Sequence, residues 1–467
     1  MNYEEVVSRI HLYTKEQEAI CRKNSEIPEH LYTEYGVNRG LRDLSGKGVV
    51  AGLTNISKIT AFKMQDGKKV PDEGHLWYRG YPIEELVEEC HKKGFCFERT
   101  AYLLLFGEKP SNEDLRRFCA VLSVSRQLPP HFTRDVIMKR PSNDIMNSMT
   151  KSILTLSNYD EEALNHSVEN SLRQCMELIS VFPMFAVYGY IAYDYYVNDK
   201  SMFIHDPDPL LSTAENILMM LRPDKKYTKL EAKVLDIALM LHMEHGGGNN
   251  STFTTRVVTS SGADTYAAIA AAMCSLKGPK HGGANLKVMD MMDDISHHVK
   301  DLHDKEEISA YLEKILNGEA FDGKGLIYGM GHAVYSLSDP REVIFKGFVE
   351  RLAHEKGLDD QLALYNAVEE IAPKLIYKKR PIYKGVSPNV DFYSGFVYEM
   401  LGIPRELYTP MFAMARVVGW SAHRIEEMIS MSKIIRPAYL SVMEEKSDYY
   451  NRKEAEQSVI TGKIPLN

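Results

Sequence analysis

The sequence predicts a mainly α protein with one small β-hairpin near its N-terminus. Apolar residues recur every three to four positions along most of the chain, alternation of period two is confined to a short early stretch, and helices stop at glycine-rich joints. With 467 residues, 44% of them apolar and 26% charged, and with 30 Gly and 20 Pro, the chain can bury a large core. That composition excludes collagen-like, disordered and disulfide-scaffold classes.

Alternation around Asn55 to Lys63, the Asp66-Gly67 pair and His75 to Tyr78 together predict the hairpin. Helical stripes follow at Glu98 to Phe106, Asn112 to Leu128, Lys229 to His242, Asp264 to Leu276, Asp359 to Tyr377 and Pro410 to Met431. The clearest helix runs from Asp304 to Asn317. There Asp304 and Glu307 have capping-box spacing, Ile308, Leu312, Ile315 and Leu316 form one face, and Gly318 follows the end. The longest uncharged stretch, Leu178 to Tyr193, is interrupted by Ser180, Pro183 and Gly189. It falls short of the roughly 20 residues a bilayer span needs and reads as a buried helix or one at a subunit interface, so no membrane segment is predicted. There is no internal repeat, no low-complexity run and no long linker.

Charge and cysteine usage narrow the class further. Lys plus Arg at 56 against Asp plus Glu at 64 gives −8, too mild and too mixed for a nucleic-acid footprint or a polybasic membrane surface. Six scattered cysteines without a CxxC pair offer neither a zinc ribbon nor a disulfide framework. With no targeting signal in MNYEEVVSRI or IPLN, a reducing cytoplasm is the expected compartment.

Of 16 histidines, His242, His245, His281, His297, His298, His303 and His332 crowd into one glycine-rich window. In HMEHGGGNNST, His242 and His245 lie one turn apart and three glycines end the helix; the HExxH spacing and a third ligand are missing, so zinc is disfavoured against helix-end or core histidines. In LKGPKHGGAN, His281 stands on a tight turn that opens a helix, where a depressed pKa keeps the ring neutral and able to donate to a developing enolate oxygen. In YGMGHAVYSLSDPR, glycines flank His332, and Arg341 offers a guanidinium fork for a carboxylate. In SPNVDFYSG, Asp391 fits either an N-cap or a base. Each is weak alone. Together they supply a base, an enolate stabiliser and a second acid, which proton abstraction next to a carbonyl requires. Arg416, inside an apolar stripe, calls for an anionic partner or a snorkelling path to solvent; Arg436, before Pro437, reads as a loop arginine.

The order of these segments resembles the citrate synthase family. HxxHGGGNNS, GPKHGGAN, GMGHAVY…DPR, PNVD…SG, the AR…GW helix and a late IRP all occur in sequence, preceded by YRGYPIEEL and FERTAYLLLFGEKP, over roughly residues 45 to 440. The resemblance implies an almost all-helical, two-domain protein, with residues 1–280 and 397–467 as a large domain and 281–396 as a small domain closing over the active site. It implies a homodimer or higher homo-oligomer. It makes Asp391 the base for acetyl-CoA, His281 the donor to the thioester oxygen and His332 the acid for the oxaloacetate carbonyl. His245, Arg341 and Arg416 become oxaloacetate ligands, joined by Arg436 from the neighbouring subunit. Lys384 would bind coenzyme A, yet Ser336 stands where the family usually has a basic coenzyme A contact. The Lys378, Lys379, Arg380 run is either replacement charge or a solvated helix end. The implied reaction is the Claisen-type condensation of the tricarboxylic acid cycle, with acetyl-CoA as co-substrate, no tightly bound cofactor and no metal. 2-Methylcitrate synthesis from propionyl-CoA is the alternative.

Overall fold

The computed structural model describes residues 3–43, 47–332, 334–335, 337–379, 385–430 and 433–443. Two helices, α1 (Tyr3–Ser25) and α2 (Glu29–Glu34), precede the sheet. Strands β1 (Ser57–Gln65) and β2 (Lys68–Tyr78) then pair antiparallel about Asp66 and Gly67, whose φ values of 51° and 74° are those a two-residue hairpin turn with matching twist requires. The register shifts between Thr60 and Phe62. A third, very short strand, β3 (Tyr81–Pro82), folds back on β2 through Arg79 and Gly80, so the predicted hairpin is a three-stranded sheet.

Many of the helices start where a side chain or a remote carboxylate meets their free amides, although α2 and the helices that open at Ile83 and Ala284 have no such cap. After α3 (Ile83–Lys93), helix α4 (Cys96–Phe106) takes its cap from Asp236, far along the chain, which accepts from the Cys96 and Phe97 amides at 2.8 and 2.9 Å. Helix α5 (Asn112–Val124) has a Ser111/Asp114 capping box. It ends four residues before the predicted Leu128, because the chain turns at Ser125 ahead of Pro129 and Pro130, which have no amide to continue it. Helix α6 (Ile145–Leu156) leads to α7 (Val168–Asn198), which absorbs the uncharged stretch and runs through Pro183. That 31-residue helix is long and apolar enough to cross a membrane, but 83% of its most apolar window is buried inside the protein. Helices α8 (Thr213–Leu221) and α9 (Lys229–His242) both open with capping boxes, and α10 (Asn250–Ser260) and α11 (Thr265–Leu276) with Asn249 and Asp264.

The next helices pack largely on one another: α12 (Ala284–His298), α13 (Lys305–Asn317), α14 (Pro340–Lys356), α15 (Asp359–Lys379) and α16 (Val390–Met400). Asp304 caps α13 as predicted, but Glu307 does not complete a box. Its carboxylate reaches past the cap to the Lys300 and Asp301 amides. Helix α14 also touches α9, α3 and β2. The last helix, α17 (Tyr408–Ser430), packs against α4, α7, α9, α10 and α11 and is buried on nearly every side, including Trp420, Arg416 and Arg424. It enters the core so closely that a Cβ at Gly419 would stand 2.2 Å from the Met243 carbonyl oxygen.

Candidate active site

Four segments converge where α9 ends, α10 begins, α17 crosses and the loops before α14 and α16 fold inward. His281 sits in the turn after α11, held by its amide on the Gly278 carbonyl. The adjacent Gly282 has no room for a side chain, since a Cβ there would meet the Leu276 carbonyl at 2.4 Å. The His281 Nε2 accepts from the Ser251 amide at 3.3 Å and lies 2.9 Å from its hydroxyl. Ser251 in turn accepts from the Trp420 indole at 3.1 Å. A nitrogen that accepts an amide proton carries none of its own, so the neutral ring's proton is on Nδ1. Burial, then the charge of Arg416, holds the ring neutral by lowering its pKa to about 4. The helix whose free N-terminal amide engages His281 is thus α10, and not the one His281 precedes.

His332 has the opposite arrangement. Its Nδ1 accepts from the Val334 and Tyr335 amides at 2.9 and 3.1 Å, which leaves the proton on Nε2. Burial and Arg341 lower its pKa to about 4 as well. His245, buried at the end of the α9 segment, lies edge to face on His332 at 5.0 Å between ring centroids. Burial, Arg341, His332 and Arg416 all keep it neutral.

Asp391 is tied to His332 through the backbone. The Gly331 amide donates to the Ser387 carbonyl, Asn389 Nδ2 donates to the Gly331 carbonyl, and the Asn389 amide donates to Gly329. The N-cap of α16 is Asn389, whose side chain accepts from the Asp391 amide at 3.0 Å. Asp391 is therefore not the cap. Burial pushes its carboxyl up to about 6 against the opposing pull of Arg341 and Arg416.

The two arginines differ. Arg341 gives Nε and Nη2 to Asp339 at 3.0 and 2.7 Å, so its fork is already filled by a carboxylate two residues away, which also accepts from the Val390 amide. Arg416, only 1% exposed, donates Nε to the His242 carbonyl at 2.8 Å and lies 4.6 Å over the Phe412 ring. Among the described residues no carboxylate pairs with it, and burial lowers its pKa to about 10. The buried Glu244 carboxylate favours its charge from a distance but is bonded to His423 and Ser57, so Arg416 has no direct carboxylate contact among the described residues and can meet an anionic ligand.

The family model described as "Citrate synthase, C-terminal domain" matches residues 42–438. The chain belongs to the citrate synthase family. The citrate synthase of Synechocystis is 33% identical over 90% of this chain and 95% of its own length. The 2-methylcitrate synthase of Shewanella oneidensis is 32% identical over 78% and 87%. Among solved structures, citrate synthase from Pyrobaculum aerophilum superposes with a TM-score of 0.71 at 29% identity, covering 87% of this chain and 94% of that one. The Thermoplasma acidophilum citrate synthase in ternary complex with carboxymethyl coenzyme A and oxaloacetate has the same TM-score at 27% identity, covering 89% and 99%.

Of the remaining sequence-predicted residues, some fall outside the described residues and the others lie apart from the cluster. Lys384, with Ser336 and Arg380, is outside the described residues. Lys379 is a helix-end ligand: its ammonium donates to the Leu316 carbonyl and Asn317 side chain at the C-terminus of α13. Lys378 lies 3.7 Å from Glu313. Arg436 is exposed on a segment without regular secondary structure, anchored by the Ile435 amide on Ser260, at the far end of α10 from Ser251. Those two serines are roughly 14 Å apart along the helix, so Arg436 is not brought to its own His281.

Sequence reasoning passed over Ser251, Asp339, Tyr335 and Glu244. Asp339 had a local signal, since Asp-Pro at a helix start marks an N-cap. Glu244 lay between the two histidines of HMEH; it is fully buried, bonded to His423 and Ser57 at 2.9 Å, and held at about 2 because His423 and Arg416 outweigh its burial. A wide cavity of about 630 Å³ elsewhere, lined by Arg126, His131, Tyr188 and Asp206, contains none of the convergent groups. Volume alone would point there; the paired histidine tautomers and raised carboxyl point here.

Proposed function

We propose that this protein is a citrate synthase, condensing acetyl-CoA with oxaloacetate and hydrolysing the citryl-CoA thioester to citrate and coenzyme A. The observation that carries the reading is the hydrogen-bond geometry: backbone amides donate to His281 Nε2 and to His332 Nδ1, which leaves Nδ1–H and Nε2–H respectively free to donate, beside the buried Asp391 carboxyl. In this reading the Asp391 carboxylate takes a methyl proton from acetyl-CoA. As the C–H electron pair moves into the thioester, His281 Nδ1–H donates to the oxygen that gains charge. The new nucleophilic carbon bonds to the oxaloacetate carbonyl carbon as the C=O π pair moves to oxygen, and His332 Nε2–H passes its proton to that oxygen, which becomes the citryl hydroxyl; the methyl proton held by Asp391 then returns through solvent to the His332 imidazolate, restoring both groups. Water then cleaves the thioester. Asp391 at its ordinary 3.8 would be a feeble base for such a proton; a carboxylate near 6 is a better one, and charge stabilisation at the thioester oxygen supplies the rest.

His245 and Arg416 are proposed to hold oxaloacetate together with Arg341, through the Nη1 group that its pairing with Asp339 does not use, and with Arg436 supplied by the neighbouring subunit of a homodimer. Residues 281–396 are proposed to close as a small domain over the rest, which fits the mutual packing of α12 to α16. Lys384 is proposed to meet a coenzyme A phosphate. Thiol release measured with oxaloacetate and either acetyl-CoA or propionyl-CoA tests the assignment. A kcat/KM at least tenfold higher with acetyl-CoA is expected; the reverse preference would make the protein a 2-methylcitrate synthase, and no release with either would end the reading.

A further inference from the structure

We propose that Tyr335 is a positioning residue that fixes how His245 and His332 meet oxaloacetate, an inference that rests on the functional reading above. Tyr335 is 2% exposed and lies between His332 and α14. Its hydroxyl is 3.3 Å from His245 Nε2. Its ring stacks on His332 with centroids 4.8 Å apart and planes inclined by 27°, and meets His245 edge to face at 5.4 Å. A buried phenol hydrogen needs an acceptor, and no other acceptor bonds this hydroxyl among the described residues, so it goes to Nε2 and leaves the His245 proton on Nδ1.

The opposite side of the tyrosine is pressed by β2. A Cβ at Gly74 would fall 2.7 Å from Tyr335 Cδ1 and 2.2 Å from the Ser338 carbonyl oxygen, and the Gly74 amide donates to Ser338 Oγ at 3.1 Å. Only glycine lets the strand come this near. The early sheet thus clamps the tyrosine ring against His332, while the hydroxyl sets His245 by itself. The two functions separate by substitution: the hydroxyl acts on ligand binding, the ring on the acid that completes carbon–carbon bond formation.

Tyr335→Phe keeps the ring and removes the hydroxyl. Its KM and calorimetric Kd for oxaloacetate should rise about tenfold, with kcat within about threefold of the unaltered enzyme. Tyr335→Leu removes the brace too, and kcat should fall a further tenfold or more. Gly74→Ala, which leaves the tyrosine intact but displaces its ring, should lower kcat in the same direction. Thermal melting of each variant separates these effects from loss of the fold, and the near-isosteric phenylalanine keeps the test open if the other two are unstable. An unchanged oxaloacetate Kd in Tyr335→Phe, with the unaltered enzyme active, overturns this inference alone. An unaltered enzyme that neither binds oxaloacetate nor releases thiol overturns the functional reading, and this inference with it.

Discussion

At the scale of single residues, Asp391 has a cost as well as a use. Its pKa is raised in the folded protein, from 3.8 to about 6, because burial disfavours the charged form more than Arg341 and Arg416 favour it. Between those two values the folded state binds the proton that the unfolded chain releases. Its contribution to stability is therefore fully present below about 3.8 and lost as the pH rises through about 6. At pH 7.5 the ionised side chain is a liability, and Asp391→Asn should stabilise the protein by of order 1 kcal/mol while costing several orders of magnitude in turnover. Melting curves at pH 7.5 and pH 4.5 should show the gain shrinking at the lower pH. The same titration sets the acid limb of catalysis: kcat/KM for acetyl-CoA should fall as the pH drops through about 6 and the base becomes protonated. A variant with near-normal turnover would remove Asp391 from the reaction.

At the scale of elements, α17 determines whether the site can assemble. Arg416 reaches the His242 carbonyl, Trp420 reaches Ser251, and His423 reaches both Glu244 and Arg256, so one helix links the ends of α9 and α10. Gly419 is what allows the approach. Gly419→Ala should lower stability by about 1–3 kcal/mol or more, because the clash with the Met243 carbonyl outweighs the roughly 1 kcal/mol that alanine gains in helix propensity. Chemical denaturation should show the loss, and an accompanying rise in oxaloacetate KM would report displaced His245 and Arg416. The helix itself was legible from its apolar period, as were α9 and α13 to within a residue or two, because that signal is local. The motifs and the family resemblance also singled out His245, His281, His332 and Asp391 as candidates, and the fold gathers all four around Arg341 and Arg416. What joins them was not legible. Asp236 capping α4, Ser251 fixing the tautomer of His281, and Gly74 seating Tyr335 are contacts between residues far apart in the chain, and no period or motif spacing records which remote amide or ring a side chain will meet.

At the scale of the whole molecule, a chain with net charge −8 must hold a dianionic keto acid and a triply charged product by local positive charge. Arg341 is largely neutralised by its direct pairing with Asp339, whereas Arg416 feels Glu244 only at a distance and has no direct carboxylate contact among the described residues, so within this chain it is the freer positive charge. A second cation is proposed to arrive as Arg436 of the neighbouring subunit, since its own segment is pinned to Ser260, at the wrong end of α10. Mixed dimers decide this. One inactive subunit carries Asp391→Asn and the other Arg436→Ala, and the two are co-expressed with different tags. If Arg436 serves its partner, the subunit with intact Asp391 receives intact Arg436, giving one whole site per mixed dimer, while the other site bears both defects. Random pairing in equal amounts makes about half the dimers mixed, so roughly a quarter of unaltered activity should return. If Arg436 serves its own subunit, each site in the mixed dimer keeps one defect and nothing returns. Absence of recovery in dimers carrying both tags would leave Arg416 as the principal counter-charge and Arg436 as a solvent-facing arginine.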